Sequence, residues 1–352
     1  MSKDQLQNSK IFVAGGAGFI GSNFARYILQ KHPKVKILNY DKLTYSGNLG
    51  NLADIKSNNR YRFIKGDIAD KKKIEKAIKS FGPDYLINFA AETHVDRSIH
   101  VGAKEFIDTN ITGVFNILEA VKANPKIKKF VQVSTDEVYG SLPLSSQKAF
   151  RENTAFAPNA PYAATKAGGD LLCRAYYSTF RLPIVVTHCS NNYGPYQYPE
   201  KLIPFLILRI LEGRTLPIYG DGKNVRDWIH VLDHCEALRL CLLKGAPGEV
   251  YNIGADNELN NLEIAALIMK YFNKTEECIE FVADRPGHDR RYAINSSKIK
   301  KELGWKPRCN FKKAFIETID WYVHNPKWVN GVRRKTGVFN PHIDLWRAHK
   351  VK

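Results

Sequence analysis

A short apolar strand that leads into a glycine-rich turn constrains the fold of this chain more than any other feature. Residues 11–14 are Ile-Phe-Val-Ala, and Gly15, Gly18 and Gly21 follow before an amphipathic stretch. The first two glycines allow a tight turn and a close approach of the backbone to a pyrophosphate, and the third lets the next helix pack on the strand. The free amides at the start of that helix suit a phosphate group. The pattern therefore predicts a parallel sheet with a dinucleotide site beside its first strand.

Short apolar segments alternate with amphipathic ones through the first half of the chain, as in a parallel sheet with helices on both faces. After Asn191, glycine, proline and aromatic residues become dense, which is typical of loops that shape a pocket over a rigid scaffold. We therefore predict an α/β fold, a Rossmann-type doubly wound parallel sheet with a smaller, discontinuous C-terminal substrate domain. The predicted strands are 11–14, 36–40, 61–65, 85–89, 130–134 and 184–188, and the predicted helices include 21–30, 74–80, 105–123, 162–181, 203–212 and 262–272.

The predicted domain limits follow this change in amino-acid composition. Residues 1–190 form the dinucleotide-binding domain, to which a segment near 229–250 returns. Residues 191–228 and 251–330 form the substrate domain. Residues 331–352 contain six Lys or Arg and one Asp with little periodicity, and we expect a loosely held basic tail there.

Composition narrows the classes of function. The chain of 352 residues has 53 Lys and Arg against 35 Asp and Glu, a net charge of +18. Such a charge fits either nucleic-acid binding or a lysine-rich surface with arginines for a phosphorylated substrate. We expect no nucleic acid, because the basic residues are dispersed and no nucleic-acid motif is present. No apolar run approaches the roughly 18 residues of a membrane helix, so we expect no membrane partner. The polar N-terminus predicts a cytoplasmic protein, and the six scattered cysteines predict free thiols and no metal site.

Acidic and small residues follow the predicted strands where a cofactor would lie. Asp41 ends the second strand about 20 residues after the glycine turn. A carboxylate there accepts hydrogen bonds from both ribose hydroxyls and repels a 2′-phosphate, so the sequence predicts NAD in preference to NADP. Asp67 and Ile68 follow the third strand, where the adenine would lie, and residues 90–94 follow the fourth, along the nicotinamide half.

Two further motifs bring acid, base and hydroxyl groups together. Thr135, Asp136 and Glu137 place a hydroxyl and two carboxyl groups at the end of a predicted strand. Tyr162 and Lys166 lie one helical turn apart on one helix face, where the ammonium and the positive nicotinamide would favour the phenolate and lower the pKa of the phenol. The second pair can take a proton from an alcohol while a hydride leaves, and the carboxyl groups can move protons on and off carbon. A site with both motifs should do more than a simple oxidation.

With these motifs the chain resembles the extended short-chain dehydrogenase/reductases, the NAD-dependent epimerase/dehydratase family, over roughly residues 10–328. Within that family, adjacent Asp136 and Glu137 are typical of the sugar-nucleotide 4,6-dehydratases and separate them from the related epimerases. The matching stretches are 15–22, 91–98, 134–140, 191–204, 224–228 and 285–292.

The resemblance implies dehydration of a nucleoside-diphosphate glucose, either dTDP-glucose or, as the alternative, UDP-glucose. Tyr162 would remove the proton of the 4-hydroxyl, with Thr135 hydrogen-bonded nearby, while carbon 4 is oxidised. Glu137 would then remove the proton of carbon 5, and Asp136 would protonate the departing 6-hydroxyl. Reduction at carbon 6 would give the 4-keto-6-deoxy sugar and restore NAD, while Lys166 holds the nicotinamide ribose.

The resemblance also implies binding residues and a homodimer joined through helices near 105–123 and 162–181. Arg226 and Arg285 suit the diphosphate, because guanidinium groups pair with phosphate oxygens. The expected cofactor residues are Gly15, Gly18, Phe19, Ile20, Gly21, Asp41, Lys42, Leu43, Thr44, Asp67, Ile68, Ala90, Ala91, Thr93, Thr109, Ser134, Tyr162, Lys166 and Asn192. The expected substrate residues are Thr93, His94, Thr135, Asn191, Glu200, Lys201, Leu202, Pro217, Tyr219, Arg226, Asn261, Arg285 and His288.

Three positions depart from the family pattern, and one of them, Leu232, replaces a polar residue. Ala14 stands where threonine is usual before the glycine turn, and His188 stands where arginine is usual, which removes a fixed charge near the floor of the site.

Two other functions are alternatives to dehydration. A 4-epimerase would not need the adjacent carboxyl groups, and a non-catalytic nucleic-acid-binding protein that kept the fold would need none of the catalytic set.

Overall fold

The computed structural model describes residues 6–336, and within them the strands form three sheets. The predicted strands and helices of the first half lie close to their expected limits. The strands are β1 Lys10–Ala14, β2 Lys36–Asp41, β3 Tyr61–Lys65, β4 Tyr85–Asn88, β5 Lys129–Thr135, β6 Ile184–Cys189, β7 Asn191–Tyr193, β8 Leu216–Tyr219, β9 Val225–His230, β10 Val250–Ile253, β11 Glu258–Asn260 and β12 Ile279–Val282. The α-helices are α1 Phe19–Lys31, α2 Lys71–Phe81, α3 Val95–His100, α4 Lys104–Ile107, α5 Val114–Lys122, α6 Pro161–Phe180, α7 Leu202–Leu211, α8 Val231–Lys244, α9 Asn261–Tyr271, α10 Ser297–Leu303, α11 Phe311–His324 and α12 Pro326–Thr336.

The largest sheet has seven strands in the order β10-β6-β5-β4-β1-β2-β3. Every neighbouring pair in this sheet is parallel. The chain runs outward from β1 to β3 on one side, then returns to β4 beside β1 and runs outward on the other. The strand order therefore reverses between β1 and β4, and the predicted Rossmann-type doubly wound fold is confirmed.

Helices cover both faces of this sheet, because successive side chains of a strand point to opposite faces and both sets are apolar. In β1, Ile11 and Val13 pack in a cluster with residues of α1 and α8, while Phe12 and Ala14 pack with residues of α2, α5 and α6. All residues of β5 are buried. A sheet buried on both faces is a rigid base for the residues that follow its strands.

A second apolar core forms around the two smaller sheets, β11-β9-β7 and β12-β8. It contains side chains of α7, α9 and α11 and includes Trp228 and, from α12, Val329. This core belongs to the predicted substrate domain, whose exact limits remain a prediction.

Three stretches lie elsewhere than the predicted limits suggested. β10, which reaches Ile253, pairs with β6 in the large sheet, because its apolar residues are buried there. Trp305 and the buried face of α10 also pack in the cluster of the large sheet. Residues 331–336 belong to α12, whereas the predicted basic tail began at 331. Residues 337–352 of that tail lie outside the described part of the chain.

The six cysteines are free thiols, as predicted. Among residues 6–336 there is no group of His, Cys, Asp and Glu side chains that could hold a metal ion. No helix in the same stretch is long and apolar enough to cross a bilayer.

Candidate active site

A deep cleft runs along the carboxyl ends of the central strands, beside the point where the strand order reverses. It has a volume of about 320 Å³ and is lined by residues that follow β1, β2, β4, β5 and β6. Glu200, Lys201 and Trp228, which lie near the second core, line it as well. Ligands of open α/β sheets bind at this edge, so the cleft is the candidate active site.

The predicted cofactor residues meet in this cleft. All of them line it except Leu43, whose backbone amide donates to Asp41 Oδ1 at 2.7 Å. Asp41 Oδ2 accepts a hydrogen bond from the Ala17 amide, inside the glycine turn, at 2.8 Å. Burial raises the pKa of Asp41, and these two amides, together with the charge of Lys335, oppose the rise. The carboxylate is thereby fixed at the end of β2, where the ribose of a dinucleotide is expected.

The glycine turn needs glycine for steric reasons. Gly15 has a φ of +76°, and a Cβ atom there would lie 2.3 Å from the Ala90 nitrogen. A Cβ on Gly21 would lie 2.5 Å from the Gly15 carbonyl oxygen. The turn therefore packs backbone against backbone and leaves the first amides of α1 facing the cleft. Together with the Asp41 carboxylate, this arrangement fits NAD.

Three local structures place the predicted catalytic side chains. β5 ends at Thr135, and a 3₁₀ turn over Asp136–Tyr139 follows directly. Thr135 Oγ1 accepts a hydrogen bond from the Glu137 amide at 3.3 Å, which holds the start of this turn. α6 begins with a proline, whose φ suits the first position of a helix. Tyr162 and Lys166 follow in its first turns, and Lys166 Nζ donates to the carbonyl of Val133 in β5 at 2.8 Å. All five predicted catalytic residues line the cleft.

The two adjacent carboxyl groups have different electrostatic surroundings. Asp136 is 1% exposed, and its Oδ2 has no hydrogen-bond partner among the described residues. Burial and repulsion from Glu137 raise the pKa of Asp136 well above its usual value. Burial also raises the pKa of Glu137, but three nearby cationic side chains oppose that rise. These are Arg285, Arg226 and Lys201. The surroundings therefore raise the pKa of Asp136 strongly, while more cations oppose the rise at Glu137, so Asp136 is the better proton donor of the pair.

Burial dominates the Tyr162–Lys166 pair. Tyr162 and Lys166 are 6% and 5% exposed. Burial and the Glu137 carboxylate raise the pKa of Tyr162 well above its usual value, while a hydrogen bond with Thr135 opposes the rise. Burial lowers the pKa of Lys166, and Asp170 opposes that change. The predicted lowering of the phenol pKa by Lys166 and the positive nicotinamide stays a prediction, and within the protein chain burial has the largest effect on that pKa.

A π-helix interrupts the long helix predicted over 105–123. It spans Asp108–Gly113 between α4 and α5 and places Thr109 on the cleft wall. Asn110 in this segment donates to the Thr165 hydroxyl at 3.0 Å and accepts from the Glu92 amide at 3.0 Å. Through Asn110, the π-helix is thus hydrogen-bonded to α6 and to the loop after β4. Such π segments are frequent at functional sites, and hydrophobic periodicity does not reveal them.

Part of the predicted substrate set also meets in the cleft. Lys201 Nζ donates to the Thr93 carbonyl at 3.0 Å, which joins the two sides of the cleft. Glu200 accepts from the Tyr45 hydroxyl at 3.0 Å and lies 3.4 Å from His94 Nε2. Burial raises the pKa of Glu200 to about 7. The predicted substrate residues that line the cleft are Thr93, Thr135, Asn191, Glu200, Lys201 and Leu202.

The remaining predicted substrate residues do not line the cleft. Arg226 Nη2 donates to the Asp289 carbonyl at 3.0 Å, and its guanidinium centre lies 4.1 Å from the centre of the Tyr292 ring. Arg285 lies 3.8 Å from Asp96, and its buried Nε has no hydrogen-bond partner among the described residues. An unpaired buried donor is costly, so Arg285 retains a donor for an anionic ligand. The residues outside the lining are His94, Pro217, Tyr219, Arg226, Asn261, Arg285 and His288.

Several residues that line the cleft were not predicted from the sequence. Gln197 and Tyr198 lie inside a stretch already matched to the family, so their position within the motif was the available signal. Ser46 and Gly47 follow β2 in a loop that has no motif of its own. The unselected residues are Tyr40, Ser46, Gly47, Gly66, Phe89, Glu92, Val133, Cys189, Ser190, Gln197, Tyr198 and Trp228.

His188, the departure from the family pattern, is completely buried beneath the site. Its Nδ1 lies 2.6 Å from the Tyr139 hydroxyl, and its Nε2 lies 3.2 Å from Asp170 Oδ2. The same Asp170 oxygen accepts from the Ser134 hydroxyl at 2.6 Å. The histidine therefore joins a buried hydrogen-bond network that reaches the end of β5.

Comparisons with known proteins agree with this geometry. The family model described as GDP-mannose 4,6 dehydratase matches residues 12–318. A dTDP-glucose 4,6-dehydratase from Xanthomonas campestris pv. campestris is 48% identical over 337 residues, which cover 91% of this chain and 95% of the relative. The solved structure of a dTDP-glucose 4,6-dehydratase from Bacillus anthracis, in complex with NAD, is 50% identical, with a TM-score of 0.86 over 92% of this chain and 99% of the other.

A second solved structure, a dTDP-glucose 4,6-dehydratase from Streptomyces venezuelae with NAD bound, is 43% identical, with a TM-score of 0.88 over 92% of this chain and 99% of the other. The resemblance that the motifs indicated thus extends over nearly the whole chain and its fold. From the match over residues 12–318 and a relative 48% identical across most of the length, this chain belongs to the GDP-mannose 4,6 dehydratase family.

Proposed function

We propose that this protein dehydrates dTDP-glucose to dTDP-4-keto-6-deoxyglucose with bound NAD, as a step of deoxysugar biosynthesis. Relatives and solved structures between 43% and 50% identical are dTDP-glucose 4,6-dehydratases. The same matches do not favour UDP-glucose, the alternative that the sequence left open. The observation that supports dehydration most directly is the pair of unlike carboxyl environments, Asp136 and Glu137, in one cleft with Tyr162 and Lys166. A 4-epimerase would have no use for this pair.

The residues that would hold NAD are the glycine turn, Asp41, Asp67 and Ile68 at the adenosine end and Lys166 at the nicotinamide end. When bound, NAD would accept a hydride from carbon 4 and return it to carbon 6, and its oxidised ring would add a positive charge beside the phenol. The chain itself supplies a fixed carboxylate for the ribose, free amides for the pyrophosphate and a buried wall that excludes water.

Tyr162 serves as the base for the 4-hydroxyl in this proposal. Its pKa is raised by burial, so the phenol becomes a base only when positive charge develops nearby. Thr135 hydrogen-bonds Tyr162 and would orient the same hydroxyl of the sugar. Lys166 Nζ donates to the Val133 carbonyl, and in this proposal its ammonium stabilises the phenolate and holds the nicotinamide ribose.

The carboxyl pair removes water from the resulting ketone. The C–H bond at carbon 5 breaks as Glu137 takes the proton, and its electrons form the double bond to carbon 6. The C–O bond at carbon 6 breaks as Asp136 donates a proton, and water leaves. Asp136 is suited to the acid role because burial and Glu137 raise its pKa, and Glu137 is suited to the base role because three cations oppose the rise of its pKa. Reduction at carbon 6 and return of the proton to carbon 5 complete the reaction.

Incubation with dTDP-glucose and, separately, with UDP-glucose tests this function. The expected result is conversion of dTDP-glucose to a 4-keto-6-deoxy product, detected by the absorbance of the ketone in alkali, without any added reductant. Conversion of UDP-glucose at an equal or higher efficiency would reassign the substrate. No product from either sugar would overturn the dehydratase assignment.

We also propose that the protein is a homodimer. Helices α5 and α6 expose apolar side chains that a partner copy would cover, among them Leu171 at 53% exposure, Phe180 at 44% and Phe115 at 37%. Exposed apolar patches on one face favour a protein interface. A cytoplasmic location belongs to the same proposal and agrees with the free cysteines.

A further inference from the structure

The C-terminal helix α12 lies beyond residues 12–318, the part of the chain that the family model matches. Its Val329 packs in the second core, which fixes one face of the helix. From the same helix, Trp328 Nε1 donates to Asn51 Oδ1 at 2.7 Å, in the segment that follows β2. The Asn51 side chain in turn donates to the carbonyl of Ala17 in the glycine turn at 2.9 Å. The helix is therefore anchored both to the second core and to the adenosine side of the cleft.

The last described turns of α12 bring one lysine onto the loop of residues 43–47, which we name the ribose loop. Lys335 Nζ lies 2.5 Å from the carbonyl oxygen of Thr44, 2.5 Å from that of Gly47 and 3.5 Å from that of Leu43. A lysine ammonium has three N–H donors, so it can satisfy all three carbonyl groups at once. The lysine thus links three backbone carbonyl groups of the ribose loop.

The ribose loop is folded tightly around the Asp41 carboxylate. Leu43 has a φ of +58°, in the left-handed region that a leucine seldom adopts. Its amide donates to Asp41 Oδ1, and a Cβ on Gly47 would lie 2.9 Å from the same oxygen. Thr44 and Gly47 line the cleft as well. A bend of this kind persists only where surrounding contacts hold it, and Lys335 supplies contacts to three of its carbonyl groups.

We propose that Lys335 is a cofactor-positioning residue, which holds the ribose loop so that Asp41 meets the adenosine ribose of NAD. The proposal rests on the proposed function, because it assumes a dinucleotide in the cleft. The ammonium acts through the loop and not as a direct ligand, because its donors are occupied by the three backbone carbonyls. Its positive charge also opposes the rise in the pKa of Asp41 that burial causes.

Binding of NADH to the full-length Lys335→Met variant tests this role. Protein freed of dinucleotide is titrated with NADH, without any sugar, and the fluorescence of the bound nicotinamide is followed. We expect the dissociation constant to rise about tenfold, since contacts of a charged donor are lost. Arg334→Ala is the matched control, because it removes the same charge from an exposed residue of the same helix and should bind NADH like the unmodified protein.

Two outcomes would overturn the proposal. One is a dissociation constant for Lys335→Met within twofold of the unmodified protein. The other is an equal loss of affinity in Arg334→Ala, which would make the effect one of net charge alone. Thermal unfolding without dinucleotide should be the same for both variants, so a lower midpoint for Lys335→Met with unchanged affinity would mean a purely structural role. Because the titration contains no sugar, its result stays readable even if the protein fails to dehydrate dTDP-glucose.

Discussion

Replacing Glu137 with glutamine tests the division of roles between the two adjacent carboxyl groups. The change keeps the size of the side chain and removes its ability to accept a proton. Tyr162, Thr135 and Lys166 remain in place, so oxidation at carbon 4 should survive. Elimination should stall, because glutamine cannot take the proton of carbon 5, and burial still raises the pKa of Asp136, the other carboxyl group of the pair.

The expected size of the effect follows from the role of the residue. A positioned general base contributes roughly 10²–10⁴-fold to a proton transfer. At about 1.4 kcal/mol for each factor of ten, the barrier to elimination should rise by about 3 to 5.5 kcal/mol. The cations Arg285, Arg226 and Lys201 oppose the rise in the pKa of Glu137, and glutamine loses the charge that they stabilise.

Rapid mixing with dTDP-glucose separates the two steps. The absorbance of reduced nicotinamide reports oxidation, and the 4-keto-6-deoxy product reports elimination. We expect reduced cofactor to accumulate in Glu137→Gln while product forms at least about 100-fold more slowly. Glu152→Gln is the matched control, since this carboxylate accepts a backbone hydrogen bond from Asn252 and lies outside the cleft lining. Normal product formation in Glu137→Gln would refute the base assignment, and loss of both steps would point to a structural defect.

Three further outcomes are expected. The rate of elimination should fall as pH rises through the raised pKa of Asp136, because the acid must be protonated to donate. The Asp136→Asn variant should eliminate water roughly 10²–10⁴-fold more slowly, and its pH profile should lack this alkaline limb. Gly15→Ala should lower the midpoint of thermal unfolding and abolish retention of NAD. The φ of +76° at this position and a Cβ atom 2.3 Å from the Ala90 nitrogen should together cost on the order of a few kcal/mol. The control is Gly331→Ala, whose Cβ atom would meet nothing within 4 Å, and it should keep the unmodified midpoint and retain NAD. Leu171→Glu should give a monomer in sedimentation velocity, because it replaces an apolar side chain of α6 that is 53% exposed with a charged one. A dimer that survives this change would exclude that face as the interface.

Much of the site was predictable because its residues follow strand ends. Asp41, Ala90 and Thr135 each come directly after or at the end of a strand, and the carboxyl ends of parallel strands share one edge. Tyr162 and Lys166 were predictable because a helix places residues four apart on one face. These inferences need only local periodicity, which a sequence displays directly.

Other features depended on contacts between distant segments. The seventh strand, β10, pairs with β6 after a long excursion of the chain, so no local pattern marks its place. The position of Lys335 beside Gly47 joins residues that are 288 apart in the chain. The π segment at Asp108–Gly113 also escaped prediction, because one widened turn leaves the apolar spacing of the helix nearly unchanged.

The sequence by itself determined the class of chemistry: the glycine turn specified a dinucleotide site, and the Thr-Asp-Glu and Tyr-x-x-x-Lys motifs specified oxidation coupled to proton transfer at carbon. The family resemblance proposed Asp136 as the acid and Glu137 as the base, and only the tertiary structure supplied the surroundings that distinguish the two carboxyl groups. Those surroundings depend on burial and on the charges of Arg226 and Arg285, which come from other segments of the chain. Because desolvation and charge act through space, two neighbouring residues of similar chemistry acquire opposite roles only once the chain has folded.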